Sequence, residues 1–129
     1  MPDFSFKKGE RLSSKKAISL LFQSGRSVAS VPIKIIYNQS EMEQYPATVA
    51  ISVPKRLFKK AVDRNLLKRR IREAYRLNKP EFYSNLRKNH MQLSLIILYQ
   101  HREILDYKSI EKGVKMALDQ VLQKLKKTM

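Results

Sequence analysis

KRLFKKAVDRNLLKRRIREAYR, residues 55–76, is the stretch on which the reading of this chain turns. At about 100° per residue, Leu67, Ile71 and Ala74 fall together, so the stretch contains a helix with one face in a core. Arg64, Lys68, Arg72 and Arg76 stand four apart and make a ridge beside that face. Asn65 and Arg69 widen the same surface, and Arg70 projects on the other flank. The stretch holds ten Lys or Arg and two acids, Asp63 and Glu73. Like charges four apart weaken an isolated helix, and three such pairs cost on the order of 1 kcal/mol. A solvated helix face normally mixes its signs. This one reads as a surface for a polyanion, with arginine able to fork onto two phosphate oxygens.

Outward from this helix, read over residues 61–77, Pro80 predicts its end, with at most a short helical turn over 81–87. Residues 47–53 alternate Val49, Ile51, Val53 against Thr48, Ala50, Ser52 and predict a half-exposed antiparallel strand that stops at Pro54. The polar stretch 38–45 reads as a surface hairpin loop, and 31–37 as a strand with Ile33, Ile35 and Tyr37 on one face. Before it, residues 15–23 predict a helix, capped by Ser13 or Ser14 and closed by Gly25 in a left-handed conformation. Ile18, Leu21 and Phe22 share its face. The first ten residues, polar apart from Phe4 and Phe6, read as extended. LSLIILY within 92–100 predicts a buried central strand. Residues 107–127 predict an amphipathic helix with Ile110, Val114, Ala117, Leu118, Val121, Leu122 and Leu125 on its stripe, crossed by Gly113. The expected fold is an α+β two-layer sandwich with one small mixed sheet, in the order helix, strand, strand, helix, strand, helix, forming one domain over residues 1–129.

Composition narrows the function. The 129 residues carry a formal net charge of +16, and 43% are hydrophobic, enough for a core. Such an imbalance costs stability by self-repulsion and serves binding to an anion: RNA, DNA or an anionic membrane. With no cysteine there is no disulfide framework and no zinc knuckle. His90 and His101 lie apart from any carboxylate pair or nucleophile, and the acids are scattered, so no protein-borne hydrolytic site is visible. The N-terminus lacks the apolar run of a signal peptide and the longest apolar run is too short to span a bilayer; the expected location is cytoplasmic. A membrane surface is disfavoured because the basic helix lacks a Trp/Phe-rich apolar face. A DNA reader is disfavoured because strands, not a helix-turn-helix partner, flank the helix.

The text from Ile51-Ser52-Val53-Pro54-Lys55-Arg56 through Ala61-Val62-Asp63-Arg64-Asn65-Leu66-Leu67-Lys68-Arg69-Arg70-Ile71-Arg72-Glu73-Ala74-Tyr75 resembles the bacterial ribonuclease P protein family, which carries an Arg-Asn-Arg signature on a basic helix. The opening from Phe6 to Leu12, and Leu21-Phe22-Gln23-Ser24-Gly25, are similar too, so the resemblance spans residues 4–125. Leu66 stands where the signature has its second arginine, and Ile18 where the first helix usually has an aromatic.

This resemblance implies a fold like the second domain of a small-subunit ribosomal protein, with a left-handed β-α-β crossover, against the common right-handed rule. It implies a protein that binds a large catalytic RNA, ribonuclease P RNA, and helps it remove the 5′ leader of precursor tRNA. The RNA performs the hydrolysis with Mg2+ that the RNA mainly holds; the protein binds no cofactor or metal and supplies no catalytic residue. Lys55, Arg56, Arg64, Asn65, Lys68, Arg69, Arg72 and Arg76 are then expected to face the catalytic RNA. Arg11, Ile18, Phe22, Tyr37 and Ser52 are expected in a cleft for the single-stranded leader, where aromatic rings stack unpaired bases. The implied assembly is a monomer in a one-protein, one-RNA complex, with neither DNA nor membrane as a partner. The competing expectation is a small ribosome-associated or other structured-RNA-binding protein without a nuclease role.

Overall fold

The computed structural model describes residues 5–40 and 45–127. Its regular helices are α1 (Lys15–Ser24), α2 (Ala61–Lys88) and α3 (Tyr107–Lys127). Its strands are β1 (Arg26–Ser30), β2 (Ile33–Gln39), β3 (Ala47–Ser52) and β4 (Leu93–Tyr99). A 3-10 turn at Lys8–Glu10 precedes them. The order is α-β-β-β-α-β-α, one strand more than expected. The unforeseen strand, β1, lies at an edge and buries only Val28, so its sequence carries no alternating apolar pattern.

The sheet runs β1-β2-β4-β3. LSLIILY is central, as its near-continuous apolar character requires, and five of its seven residues are at most 1% exposed. β2 pairs with β4 antiparallel, whereas β3 pairs with β4 parallel. The expected antiparallel β3 and the hairpin before it are therefore corrected: β4 sits between β2 and β3, and α2 supplies the long crossover that a parallel neighbour needs. Residues 41–44 of the expected hairpin loop, and Phe4, lie outside the described residues.

Alternation divides the sheet's two faces. Ile33, Ile35, Tyr37, Val49, Leu93, Leu95, Ile97 and Tyr99 join Leu67, Ile71, Ala74, Val114, Ala117 and Val121 in the main core, under α2 and α3. Ile36, Ile96 and Leu98 form a smaller cluster with Leu21, flanked by Leu12, Ile18 and Ala50, under α1.

Pro80 does not end α2. The helix spans 28 residues in all and runs on past the proline to Lys88, because Phe82, Tyr83 and Leu86 extend its buried face beyond Pro80, offsetting the roughly 3 kcal/mol a proline costs inside a helix. Ser14 caps α1 through its side chain, accepting from the Ala17 N–H at 3.2 Å. Gly25 is not left-handed; its φ is −71° and ψ 152°. Glycine is needed there for space: a Cβ would stand 2.5 Å from the Leu21 carbonyl oxygen and 2.6 Å from Ile36 Cγ2. Gly113 has a like role, letting α3 approach Pro32 and the Ser30 carbonyl.

Candidate nucleic-acid interface

The basic face is built on the exposed side of α2. Leu67, Ile71 and Ala74 are fully buried, which fixes the helix's rotation about its axis. Asn65, Arg69 and Arg72 are thereby exposed, with Lys68 half-buried. These four side chains make no hydrogen bond or ion pair among the described residues. Lys55 and Arg56 are exposed in the turn that follows Pro54. Arg64, Arg70 and Arg76 of the same stretch are engaged. Arg64 Nη1 donates to the carbonyls of Phe58 and Lys59 at 2.8 and 2.9 Å, tying down the loop that enters α2, whose first turn has no side-chain cap. Arg70 donates to the Leu105 carbonyl at 2.7 Å and so joins α2 to the loop before α3. Arg76 pairs with Glu73 through two nitrogens, and its hydrogen bonds, less a small effect of burial, hold the Glu73 carboxyl below the usual carboxylate range.

The second predicted surface is divided. Arg11 and Ile18 line an open groove of about 440 Å3 together with Phe6, Leu12, Ser13, Val49, Ala50 and Ile51, and with Lys68 and Arg72 of α2. The groove follows the outer edge of β3. Ser52 lies on the α1 side of β3, in register with Leu98. Phe22, one turn beyond Ile18 on α1, stands outside the groove's lining and is 53% exposed, an apolar ring open to a stacking partner. Tyr37 does not belong to this surface. It is 2% exposed and lies on the α2–α3 face with Ile33 and Ile35, because residues two apart in a strand share a face. Ile36 is the β2 residue that faces α1.

Sequence reasoning missed what holds the groove's near wall. Glu10 and Lys79 form an ion pair at 2.8 Å with both side chains 2% exposed. Tyr83 donates to the same carboxylate at 2.8 Å, and the Lys7 N–H to its other oxygen at 2.6 Å. Lys79 also donates to the Ser5 carbonyl. Burial pushes the Glu10 carboxyl up, but these hydrogen bonds and the Lys79 charge outweigh it and hold the group below its ordinary value. Beyond Glu10, the Leu12 N–H donates to the Val49 carbonyl at 2.9 Å, and Arg11 bridges β3 at Val49. Segment 5–12 is thus a strap laid on α2 and β3, folded into a 3-10 turn where extended chain was expected.

Among the described residues no three of His, Cys, Asp and Glu stand close enough to hold a metal ion, and no helix is long and apolar enough to cross a membrane. His101 serves a turn, accepting from the Glu103 N–H at 3.1 Å.

A basic helix with free cations, laid beside a groove that mixes apolar and cationic walls, defines an RNA-binding α+β domain. The model of the Ribonuclease P family matches residues 6–126. The ribonuclease P protein component of Porphyromonas gingivalis strain W83 is 30% identical over 118 residues, covering 91% of this chain and 86% of that protein. That of Chlorobaculum tepidum is 40% identical over 76 residues, covering 56% and 49%. The RNase P protein of Staphylococcus aureus superposes with a TM-score of 0.68 at 22% identity, covering 87% of this chain and 94% of its own. The Thermotoga maritima protein gives 0.60 at 21%, covering 89% and 96%. The chain belongs to the bacterial ribonuclease P protein family and is the protein component of that ribonucleoprotein endonuclease, an RNA-binding protein of tRNA processing.

Proposed function

We propose that this protein docks on ribonuclease P RNA through Lys55, Arg56, Asn65, Lys68, Arg69 and Arg72, and lays the 5′ leader of precursor tRNA in the groove along β3. Arg64 and Arg76 add charge at the rim while serving α2 itself. The observation that carries the reading is the groove's composition. Lys68 and Arg72 offer cations to the phosphates on one wall. Arg11, Leu12 and Ile18 offer a cation and apolar surface on the other. That combination suits a single strand, whose backbone is charged and whose bases are apolar on their faces. Phe22 extends the apolar side, and a stacked base there contributes about 1–3 kcal/mol. Ser52 lies further along the same strand as a polar neighbour.

The hydrolysis belongs to the RNA, which holds the Mg2+; among the described residues no three of His, Cys, Asp and Glu stand close enough to hold a metal ion. The protein orients the substrate as a monomer in a one-protein, one-RNA complex. Reconstitution tests this. Protein with ribonuclease P RNA and Mg2+ should remove the leader at lower Mg2+ than the RNA alone, and protein alone should cleave nothing. Leader removal by RNA-free protein, or no effect of protein on the RNA's activity, overturns the proposal.

A further inference from the structure

We propose that Glu10 and Lys79 are positioning residues for the groove: their buried pair sets the register of the strap, and through it the place of Arg11 and Leu12 against an RNA strand. The inference rests on the groove's proposed role and assigns a task to two residues that do not line it.

The strap could be held in simpler ways. A buried ion pair is weak evidence for stability, because apolar residues of similar volume often hold a site as well. What distinguishes the pair is the number of directional contacts that meet on it. Lys79 reaches both the Ser5 carbonyl and Glu10 Oε1. Glu10 accepts from Tyr83 on one oxygen and from the Lys7 N–H on the other. These contacts lock 5–10 in one position along α2, and the next residues enter the groove. Arg11 bridges β3 at Val49, and its guanidinium lies 5.3 Å from the centre of the Phe6 ring. Phe6 in turn packs edge-on against Tyr75 of α2, with centroids 5.9 Å apart. A slip of the strap by one residue would withdraw Arg11 from the wall facing Lys68 and Arg72 and put another side chain there.

The test is the double variant Glu10→Met/Lys79→Met, which fills the volume with apolar groups while removing the directional contacts. Holoenzyme is reconstituted with ribonuclease P RNA, and dissociation constants for precursor and mature tRNA are measured. The precursor-to-mature preference should fall roughly tenfold, about what one lost contact to a nucleotide removes. Affinity for mature tRNA and for the RNA subunit should change less than about twofold, a selectivity that simple loss of folding does not produce. Glu10→Gln, which keeps the volume and an acceptor oxygen, should lower the preference in the same direction and supplies the measurement if the double variant does not fold. Arg11→Ala is the control inside the groove. If Arg11→Ala lowers the preference and the folded pair variants do not, the positioning role is overturned. If Arg11→Ala also has no effect, the groove reading fails and takes this inference with it.

Discussion

Ile18 and Lys68 stand on helices that cover opposite faces of the sheet, yet both line the groove along the outer edge of β3. β3 is an edge strand, so the two faces meet there. The surface expected for the leader and the surface expected for the catalytic RNA are therefore continuous, with Lys68 and Arg72 at the join.

Lys68 should accordingly contribute to both tasks, and Arg69, outside the groove's lining, to one. Lys68→Ala is expected to weaken docking on ribonuclease P RNA and to lower the preference for precursor over mature tRNA. Arg69→Ala should weaken docking alone. Titrations with the RNA subunit and with both tRNAs separate the effects. Equal loss of precursor preference in the two variants would show that the groove does not end where its lining does.

Arg64 has a structural duty that its place in the cationic ridge conceals. Its two hydrogen bonds to the carbonyls of Phe58 and Lys59 hold the loop into α2. Arg64→Ala should therefore cost about 1 kcal/mol of stability in urea unfolding, besides any loss of RNA binding. Arg69→Ala, with no such partner among the described residues, should leave the unfolding free energy within about 0.5 kcal/mol of the parent. An unchanged midpoint for Arg64→Ala would mean that the loop is held by other contacts.

Acid should release the strap. The folded Glu10 carboxyl titrates below its ordinary value of 4.5. Its contribution to stability is thus complete above that value and is lost as pH falls through the lower, folded one. The groups facing it are the Lys79 ammonium, the Tyr83 hydroxyl, the Lys7 N–H and, at longer range, the Tyr75 hydroxyl. Tyr83 and Tyr75 titrate far above neutrality because burial disfavours their anions, so neither changes charge in this window. Melting temperatures of the parent and Glu10→Gln should differ at pH 7 and converge below pH 4.5. Parallel curves across that range would contradict the assignment.

Much of this was readable in the sequence. Leu67, Ile71 and Ala74 fixed the orientation of α2, LSLIILY announced the central strand, and six of the seven apolar positions of α3 are buried, with Leu122 half-buried at the edge of the stripe. Each is a periodic signal that one element carries alone. What stayed hidden depends on pairs of elements. β1 has one buried apolar residue, so only its hydrogen bonds to β2 make it a strand. The direction of β3 depends on its neighbour, which lies beyond a 28-residue helix. Pro80 is a local stop signal overridden by packing on both sides of it. Glu10 and Lys79 are 69 positions apart, each an ordinary surface residue by type. Tyr37 was legible and misplaced: its alternation with Ile33 and Ile35 already put it on the core face.

Docking should be strongly salt-dependent. If about six cations meet phosphates, affinity for ribonuclease P RNA should fall by roughly 10³-fold between 50 and 200 mM salt. A flat response would point to an interface without phosphates, and the exposed Lys55, Arg56, Arg69 and Arg72 would need another explanation.

The central claim, that this protein holds the unpaired leader, is tested most directly by leader length. Holoenzyme affinity is measured for precursor tRNAs carrying leaders from none to about eight nucleotides, with the parent protein and with Phe22→Ala. The account predicts that affinity rises as the first several nucleotides are added and then levels off. It also predicts that the rise is smaller for Phe22→Ala, whose exposed ring can be removed at little cost to folding. Affinity that is independent of leader length with the parent protein would contradict it.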